Sequence, residues 1–437
     1  MPDKGKNTAV SSKSRNRLVL LLTLMRKTNK RKILNDPVYG FVTLPSDLIY
    51  DLIEHSSFQR LRRIKQLGLT DFVYPGALHS RFQHAIGAMH LMGQALNSLE
   101  AKGNLIMDVE REAAQVAILL HDIGHGPFSH VLEYTLLSGI DHEKITELIM
   151  NRLNEEFNGA LKLAIEMFKG TYQRSFFHQL ISSQLDMDRL DYINRDSFFT
   201  GVAEGRIGVE RIIKMLNIVD GDLVVEEKGL LTVETFLNAR RMMYWQVYLH
   251  KTAKSAEVIL IKALERARYL LSEGKEVSCS PFLKVFLHKK LDLQAFEKKD
   301  HTLDGFLNID DTDIWYALKT WRSHDDKVLS FLAKSFVNRK LYTIMVTDLK
   351  PKKEQIDVIK KELLQKGVNL GDLENFYHTD SISNAGYVVE NSHIRILMKS
   401  GEIKDITEAS DLPTVKALSK IVKKHYLCWA KDVYLQS

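Results

Sequence analysis

Leu119-Leu120-His121-Asp122-Ile123-Gly124-His125-Gly126 is the stretch that decides the fold. The residues leading into it, Glu112 to Leu120, read as a buried helix, because Val116, Ile118, Leu119, Leu120 and Ile123 supply apolar surface on more than one side. An imidazole and a carboxylate then stand side by side at the helix end, where burial is costly for charge unless something compensates it. A divalent cation would compensate. Histidine offers a borderline nitrogen and aspartate a hard oxygen, a pair that suits Fe, Mn, Zn, Ni or Co better than calcium. Adjacent helical residues point about 100° apart, so enclosing one ion requires further ligands from other helices. His84 and Asp188 are the candidates. Taken alone, a His-Asp pair is common, and a capped helix end is its ordinary meaning.

Outward from this point the chain is mainly α. Asn35-Asp36-Pro37 signals a turn, Val38 to Leu44 a short strand or hairpin, and Pro45-Ser46-Asp47 the start of a helix with Leu48, Ile49, Leu52 and Ile53 apolar. Phe58, Leu61, Ile64 and Leu67 predict another helix, ended by Gly68. Val73-Tyr74-Pro75-Gly76 is a loop leading to a helix near Ser80 that carries His84. A hairpin is predicted over Gly221 to Glu234, with Leu223 to Val225 facing Leu230 to Val233, and long helices follow from about Phe236 to Leu271. Beyond Lys340 short strands are predicted at Leu341 to Val346, Tyr387 to Val389 and Ile394 to Met398.

Composition narrows the function classes. At 437 residues, 45% apolar and 27% charged with eight prolines, the chain is an ordinary globular protein large enough for a main domain and an appendage. Cys279 and Cys428 make neither a disulfide framework nor a zinc knuckle, so a reducing cytoplasm is the expected compartment. The net charge of +6 is carried by the first 32 residues, where ten Lys or Arg face the single acid Asp3, leaving the body slightly acidic. A specific nucleic-acid partner is therefore not expected. Leu18 to Met25 is too short to span a bilayer, and Arg26, Lys27, Lys30 and Arg31 stand where a signal peptide would need small residues.

Three motifs occur in order: Arg81-Phe82-Gln83-His84, then His121-Asp122-Ile123-Gly124-His125-Gly126-Pro127-Phe128-Ser129-His130, then Asp186-Met187-Asp188-Arg189-Leu190-Asp191-Tyr192. With Asn35-Asp36-Pro37, Phe58-Gln59-Arg60-Leu61-Arg62, Lys65-Gln66-Leu67-Gly68 and Arg240 to Lys251, they make residues 32 to 270 resemble the HD-domain deoxynucleoside triphosphate triphosphohydrolases, whose animal members carry a sterile-alpha-motif domain. The resemblance implies an HD-type helical core, taken over 32–335 with a short N-terminal strand or hairpin; the charge count marks a basic, disordered tail over 1–31, and the change to short strands marks a small α+β module over 336–437.

It also implies roles. His84, His121, Asp122 and Asp188 would hold one divalent transition metal, with Mg2+ accompanying the nucleotide, and Asp186 would be structural. His142, supported by Glu143, would be the general acid, with His125 and His130 on phosphate, a task that suits imidazole because its pKa lies near neutrality. Each of these histidines alone would read as a satisfied core or cap residue. Arg81, Arg189 and Arg240 would bind the triphosphate, Tyr192 and Asp196 the sugar 3′-hydroxyl, Tyr248 the ribose face, and Gln66 and Leu67 the base. Lys32, Asn35, Gln59 and Arg62 match a guanine-nucleotide activator pocket, in which Glu54 replaces an aspartate; Glu133 likewise replaces an aspartate beside the catalytic histidines. The expected partners are a dNTP substrate, a nucleotide activator and further copies of the chain, as dimer or tetramer. The alternatives are another HD phosphodiesterase or nucleotide phosphatase, or a nucleotide-gated scaffold without catalysis.

Overall fold

The computed structural model of the chain describes residues 32–433, apart from 129, 130, 132–134, 138, 289, 290, 299, 385, 386, 388–392, 419 and 420. The basic tail, His130 and Glu133 lie outside the described residues. Strands β1 (Ile33–Asp36) and β2 (Gly40–Thr43) form the N-terminal hairpin. Helix Asp47–Glu54 follows, opened by the Ser46 hydroxyl accepting the Ile49 N–H, and it buries Ile49, Leu52 and Ile53 as the periodicity predicts.

Four helices place the HD stretch. Helix α1 (Arg81–Ala101) starts at Ser80, whose N–H is taken by Gln83 Oε1 at 2.8 Å, a reciprocal cap. Helix α2 (Asp108–Leu120) ends at the HD pair, α3 (His142–Glu156) is capped by Asp141, and α4 (Met187–Thr200) is capped by Asp186. Helix α1 packs against both α2 and α4, which is why it is apolar on several faces. After α4 come α5 (Leu230–Met243), a wide π-type turn at Tyr244–Tyr248, and α6 (Lys251–Ser272). One apolar cluster runs from Val42 to Val433.

Strand β3 (Leu216–Val219) pairs antiparallel with β4 (Asp222–Glu226), and β4 pairs parallel with β7 (Arg395–Leu397), itself bound to β8 (Ile403–Asp405). A second sheet has the order β5 (Thr343–Thr347), β9 (Val422–Trp429), β6 (Tyr377–Asn384).

Three local expectations are corrected. The hairpin turns at Asp220-Gly221, both at positive φ (53° and 85°), so the partner of Leu223 to Val225 precedes the turn and Leu230 to Val233 is helix. The predicted helix through Leu67 is a single turn, Ser56–Gln59, tightening to a 3-10 turn at Arg60–Arg63; Ile64 is extended and Lys65 bridges to Ser80. Tyr387 is not in a strand, whereas β6 and β9 were not expected.

Candidate metal centre and surrounding pocket

The first turns of α1, α3 and α4 and the last turn of α2 meet at one place. His84 sits in the first turn of α1, His142 begins α3, Asp188 is the second residue of α4, and His121-Asp122 follows the end of α2. Three helix N-termini therefore lie beside this point, each with an N–H already taken by a side-chain cap, and their partial positive charge favours an anionic ligand nearby.

His84 Nδ1 lies 2.7 Å from Asp191 Oδ2, and His121 Nδ1 lies 2.6 Å from the Ile118 carbonyl. Both partners accept, so each Nδ1 carries a proton, and in the neutral ring it is Nε2 that offers the lone pair. Both Nε2 atoms are buried and make no hydrogen bond. Asp188 Oδ1 stands 3.1 Å from His84 Nε2 and 3.4 Å from His121 Nε2, and Asp122 Oδ1 lies 3.3 Å from His121 Nε2. Ligand atoms of His84, His121 and Asp122 all fall within 4.8 Å of one another. Two buried lone pairs facing two carboxylates fit a divalent cation, and the mixed nitrogen and oxygen set suits a transition metal. The electrostatics agree. Burial would favour a neutral His84, yet the carboxylates of Asp188, Asp191 and Asp122 outweigh it and raise the pKa to about 10, marking a pocket that holds excess negative charge. Burial likewise opposes charge on Asp188, and the two imidazoles nevertheless hold its pKa well below the usual range.

The turn after α2 is braced from several sides. Thr146 Oγ1 takes the Gly124 N–H at 3.0 Å and donates to the His121 carbonyl at 3.0 Å. A side chain at Gly124 would collide with the start of α3, at His142 and Thr146, so glycine is required for that approach. The buried Arg60 guanidinium donates to the carbonyls of Ile309 and His125, at 2.9 and 2.7 Å, and burial pushes its pKa down to about 9. Just beyond, Phe128 takes φ 50°, a strained conformation for an aromatic residue, and its N–H bonds Asp311 Oδ1 at 3.1 Å.

The other predicted residues fall into place around this centre. His125 and His142 stack with centroids 3.8 Å apart, and burial together with the Arg81 charge lowers the His125 pKa to about 3, so that ring is neutral. Arg81 is ion-paired to Asp122, and Arg189 approaches Asp186 and Asp188. Arg240 donates to Gln184 Oε1 at 2.8 Å, leaving its buried Nε without a partner. Tyr192 stands edge-on to His84 and to Tyr248, at 6.5 and 6.0 Å. Asp196 is engaged on both oxygens, by His79 Nε2 at 2.8 Å and the Tyr248 hydroxyl at 2.7 Å, so within the fold it orients Tyr248. Gln66 and Leu67 lie on the segment bridged to Ser80, beside Arg81, with Gln66 Oε1 buried and unpartnered. Glu143 is exposed. Asp186 caps α4, accepting the Ser183 and Arg189 N–H groups at 2.7 Å each.

The candidate activator residues form two groups. Lys32 donates to the Tyr50 hydroxyl at 2.9 Å and feels the charge of Glu54, with Asn35 exposed on β1. Arg62 donates to Gln59 Oε1 at 2.8 Å and lies 3.6 Å over the Phe82 ring.

Sequence reading missed Thr146, Arg60 and His79 as site supports, along with Asp191, Arg195 and Gly87. Arg195 follows Asp191 by four residues on α4 and bonds both its oxygens, at 2.9 and 3.0 Å; a side chain at Gly87 would collide with this pair. The i, i+4 spacing of opposite charges was the available signal.

The HD domain family matches residues 81–196 and the HD associated region matches residues 207–278. The uncharacterized protein YwfO of Bacillus subtilis is 34% identical over 423 residues, 93% of this chain and 94% of that protein. The deoxynucleoside triphosphate triphosphohydrolase SAMHD1 homolog of Dictyostelium discoideum is 31% identical over 259 residues, 55% of this chain and 50% of that protein. A phosphohydrolase of Bacteroides thetaiotaomicron has a crystal structure that superposes with a TM-score of 0.89 at 50% identity, covering 91% of this chain and 99% of that one. Among the described residues no helix is long and apolar enough to cross a membrane. With ligand geometry, family match and near full-length relatives in accord, the chain belongs to the HD-domain phosphohydrolases, the family that includes the SAMHD1-like deoxynucleoside triphosphate triphosphohydrolases.

Proposed function

We propose that the protein hydrolyses deoxynucleoside triphosphates to deoxynucleoside and triphosphate. The observation that carries this reading is the pair of buried, unbonded imidazole nitrogens, His84 Nε2 and His121 Nε2, facing Asp122 and Asp188 beside a set of arginines and tyrosines. His84, His121, Asp122 and Asp188 would hold one divalent transition metal, Fe, Mn, Zn, Ni or Co, and Mg2+ would accompany the nucleotide. When bound, the cation supplies Lewis acidity toward phosphate oxygen and acidifies water. The chain's own groups do the rest. Arg81, Arg189 and Arg240 bring fixed positive charge to the triphosphate, and the three helix N-termini add theirs. His142 gives the proton to the departing 5′-oxygen, steadied by its stack on the neutral His125, with Glu143 behind it and His130 on phosphate. Tyr192 and Tyr248 bound the sugar, Tyr248 held by Asp196, and Gln66 and Leu67 line the base. Lys32, Asn35, Glu54, Gln59 and Arg62, in their two groups, would contact a guanine-nucleotide activator, and the chain works as a homo-oligomer.

The test is an assay of purified protein with Mn2+ against each dNTP, singly and mixed, with chromatography that separates nucleoside from its phosphates. Deoxynucleoside and intact triphosphate are expected, lost in Asp188→Ala, and His142→Ala should lower kcat by about 10²- to 10⁴-fold. A requirement for a mixture would support the activator pocket. Monophosphate or diphosphate products would overturn the triphosphohydrolase reading.

A further inference from the structure

The N-terminal hairpin and the candidate metal centre are joined by one buried chain of hydrogen bonds. Asp36, the last residue of β1, accepts the N–H groups of Val38 and Tyr39 on Oδ1, at 2.9 and 3.0 Å, and Arg195 Nη1 on Oδ2 at 2.7 Å. Arg195 clasps Asp191 with Nε and Nη2, and Asp191 Oδ2 takes the Nδ1–H of His84. Arg195, Asp191 and His84 are fully buried and Asp36 is nearly so. The Tyr39 ring from the hairpin turn lies 5.5 Å from the Arg195 guanidinium.

Charge along this chain runs negative, positive, negative, and then to the imidazole. Without Asp36, the Arg195 cation would bear on Asp191 alone, and Asp191 would accept less strongly from His84 Nδ1–H. The lone pair on Nε2 would become a poorer ligand, the usual consequence of weakening the partner of a coordinating histidine. We propose that Asp36 is a positioning residue for the cation site: by balancing Arg195 it keeps Asp191 committed to His84, so that docking of the β1–β2 hairpin and cation binding at His84 strengthen one another. This rests on the reading of His84 as a metal ligand. Linkage makes the coupling reciprocal, so the cation must hold the hairpin down by the same factor by which the docked hairpin improves cation affinity. A merely structural ion pair would affect folding stability and leave cation affinity alone.

The experiment titrates Mn2+ into the full chain by calorimetry, for wild type, Asp36→Asn, Arg195→Lys, Asp188→Ala and Glu110→Gln. Glu110 is a control: itself buried, it bonds the half-buried Arg174 and Tyr172, eleven residues before His121 on α2. Asp36→Asn and Arg195→Lys should weaken Mn2+ binding about tenfold, while Glu110→Gln lowers the melting temperature without changing Mn2+ affinity. Hydrogen exchange of the wild type alone supplies a second readout, independent of how the variants fold: Mn2+ should slow exchange across Ile33–Thr43. Wild-type Mn2+ affinity in a folded Asp36→Asn, or hairpin exchange indifferent to Mn2+, would overturn the coupling while leaving the metal reading intact. A wild type that binds no Mn2+, or binding that survives Asp188→Ala, would overturn the metal reading and the coupling with it.

Discussion

Thr146 shows how much of the candidate site depends on residues that carry no chemistry. Its hydroxyl satisfies one N–H and one carbonyl of the turn that presents His121 and Asp122. Thr146→Val keeps the shape and removes both bonds, leaving a buried N–H and a half-buried carbonyl without this partner, so a loss of about 1–3 kcal/mol is expected in urea denaturation. Activity should fall as well, because the turn that fixes two ligands loosens; an unchanged midpoint and kcat would show that the turn is held by packing alone. Of the residues that the structure gathers at His84, His121, Asp122 and Asp188, the His121-Asp122 pair at the end of an apolar helix was visible locally, whereas His84 and Asp188 were legible through the motifs shared with a family. Thr146 was not legible, since its meaning depends on Gly124, 22 residues away, and nothing in its own neighbourhood marks it. Gly124 and Gly87 were equally silent, being defined by the elements that press against them.

At the scale of elements, helix Lys327–Val337 depends on its first residue outside. Asp326 accepts the Leu329 N–H at 2.8 Å and takes two hydrogen bonds from Arg266 on α6, at 3.0 and 2.6 Å. Asp326→Ala should cost about 1–2 kcal/mol through the cap, with a further loss from two of the guanidinium's hydrogen bonds, Arg266 keeping its bond to Asp372 at 3.0 Å. Burial opposes the charge on Asp326, but its bonds to Arg266 and the backbone prevail and lower its pKa in the folded chain. The folded value therefore lies below the unfolded one, so this stabilisation is complete above the ordinary aspartate range and is lost as pH falls through the depressed value. The difference in unfolding free energy between wild type and Asp326→Ala, measured from pH 7 down to pH 3, should accordingly shrink on the acid side; a pH-independent difference would remove the ion pair from the account. Element boundaries were legible where a cap or turn residue spoke, as at Ser46 and Ser80. They were misread where apolar spacing alone was trusted. Leu230 to Val233 alternates no better as strand than as helix, and the decisive Asp220-Gly221 turn pointed backward along the chain.

Across the whole molecule, the pairing of strands crosses the change of texture near residue 336. Strand β7 adds in parallel to β4, with Val225 opposite Ile396, and Arg395 is ion-paired to Asp222 while Ser410 bonds the buried Glu234 on α5. The last strand, β9, closes the second sheet between β5 and β6, and the Cys428 and Tyr342 side of that sheet rests on Ser255 of α6, whose hydroxyl donates to the Tyr342 carbonyl at 2.8 Å. None of this was legible, because parallel pairing over some 170 residues leaves no local trace. Such interlocking predicts that the chain melts as one unit. Ile396 is fully buried at the centre of β7, and Ile396→Ala should cost about 2–4 kcal/mol by leaving a cavity between the sheet and the helical core. If the unit is single, thermal unfolding followed by far-ultraviolet circular dichroism and by tryptophan fluorescence, which reports on Trp245, Trp315 and Trp321 in the helical part and Trp429 in β9, should coincide in wild type and shift together in the variant. Separate transitions, with the helical core holding while the C-terminal strands melt, would make the region beyond 336 an independent appendage. In that case the loss in Ile396→Ala would leave Mn2+ affinity untouched, whereas a single unit ties every buried contact of β7 to the persistence of the site.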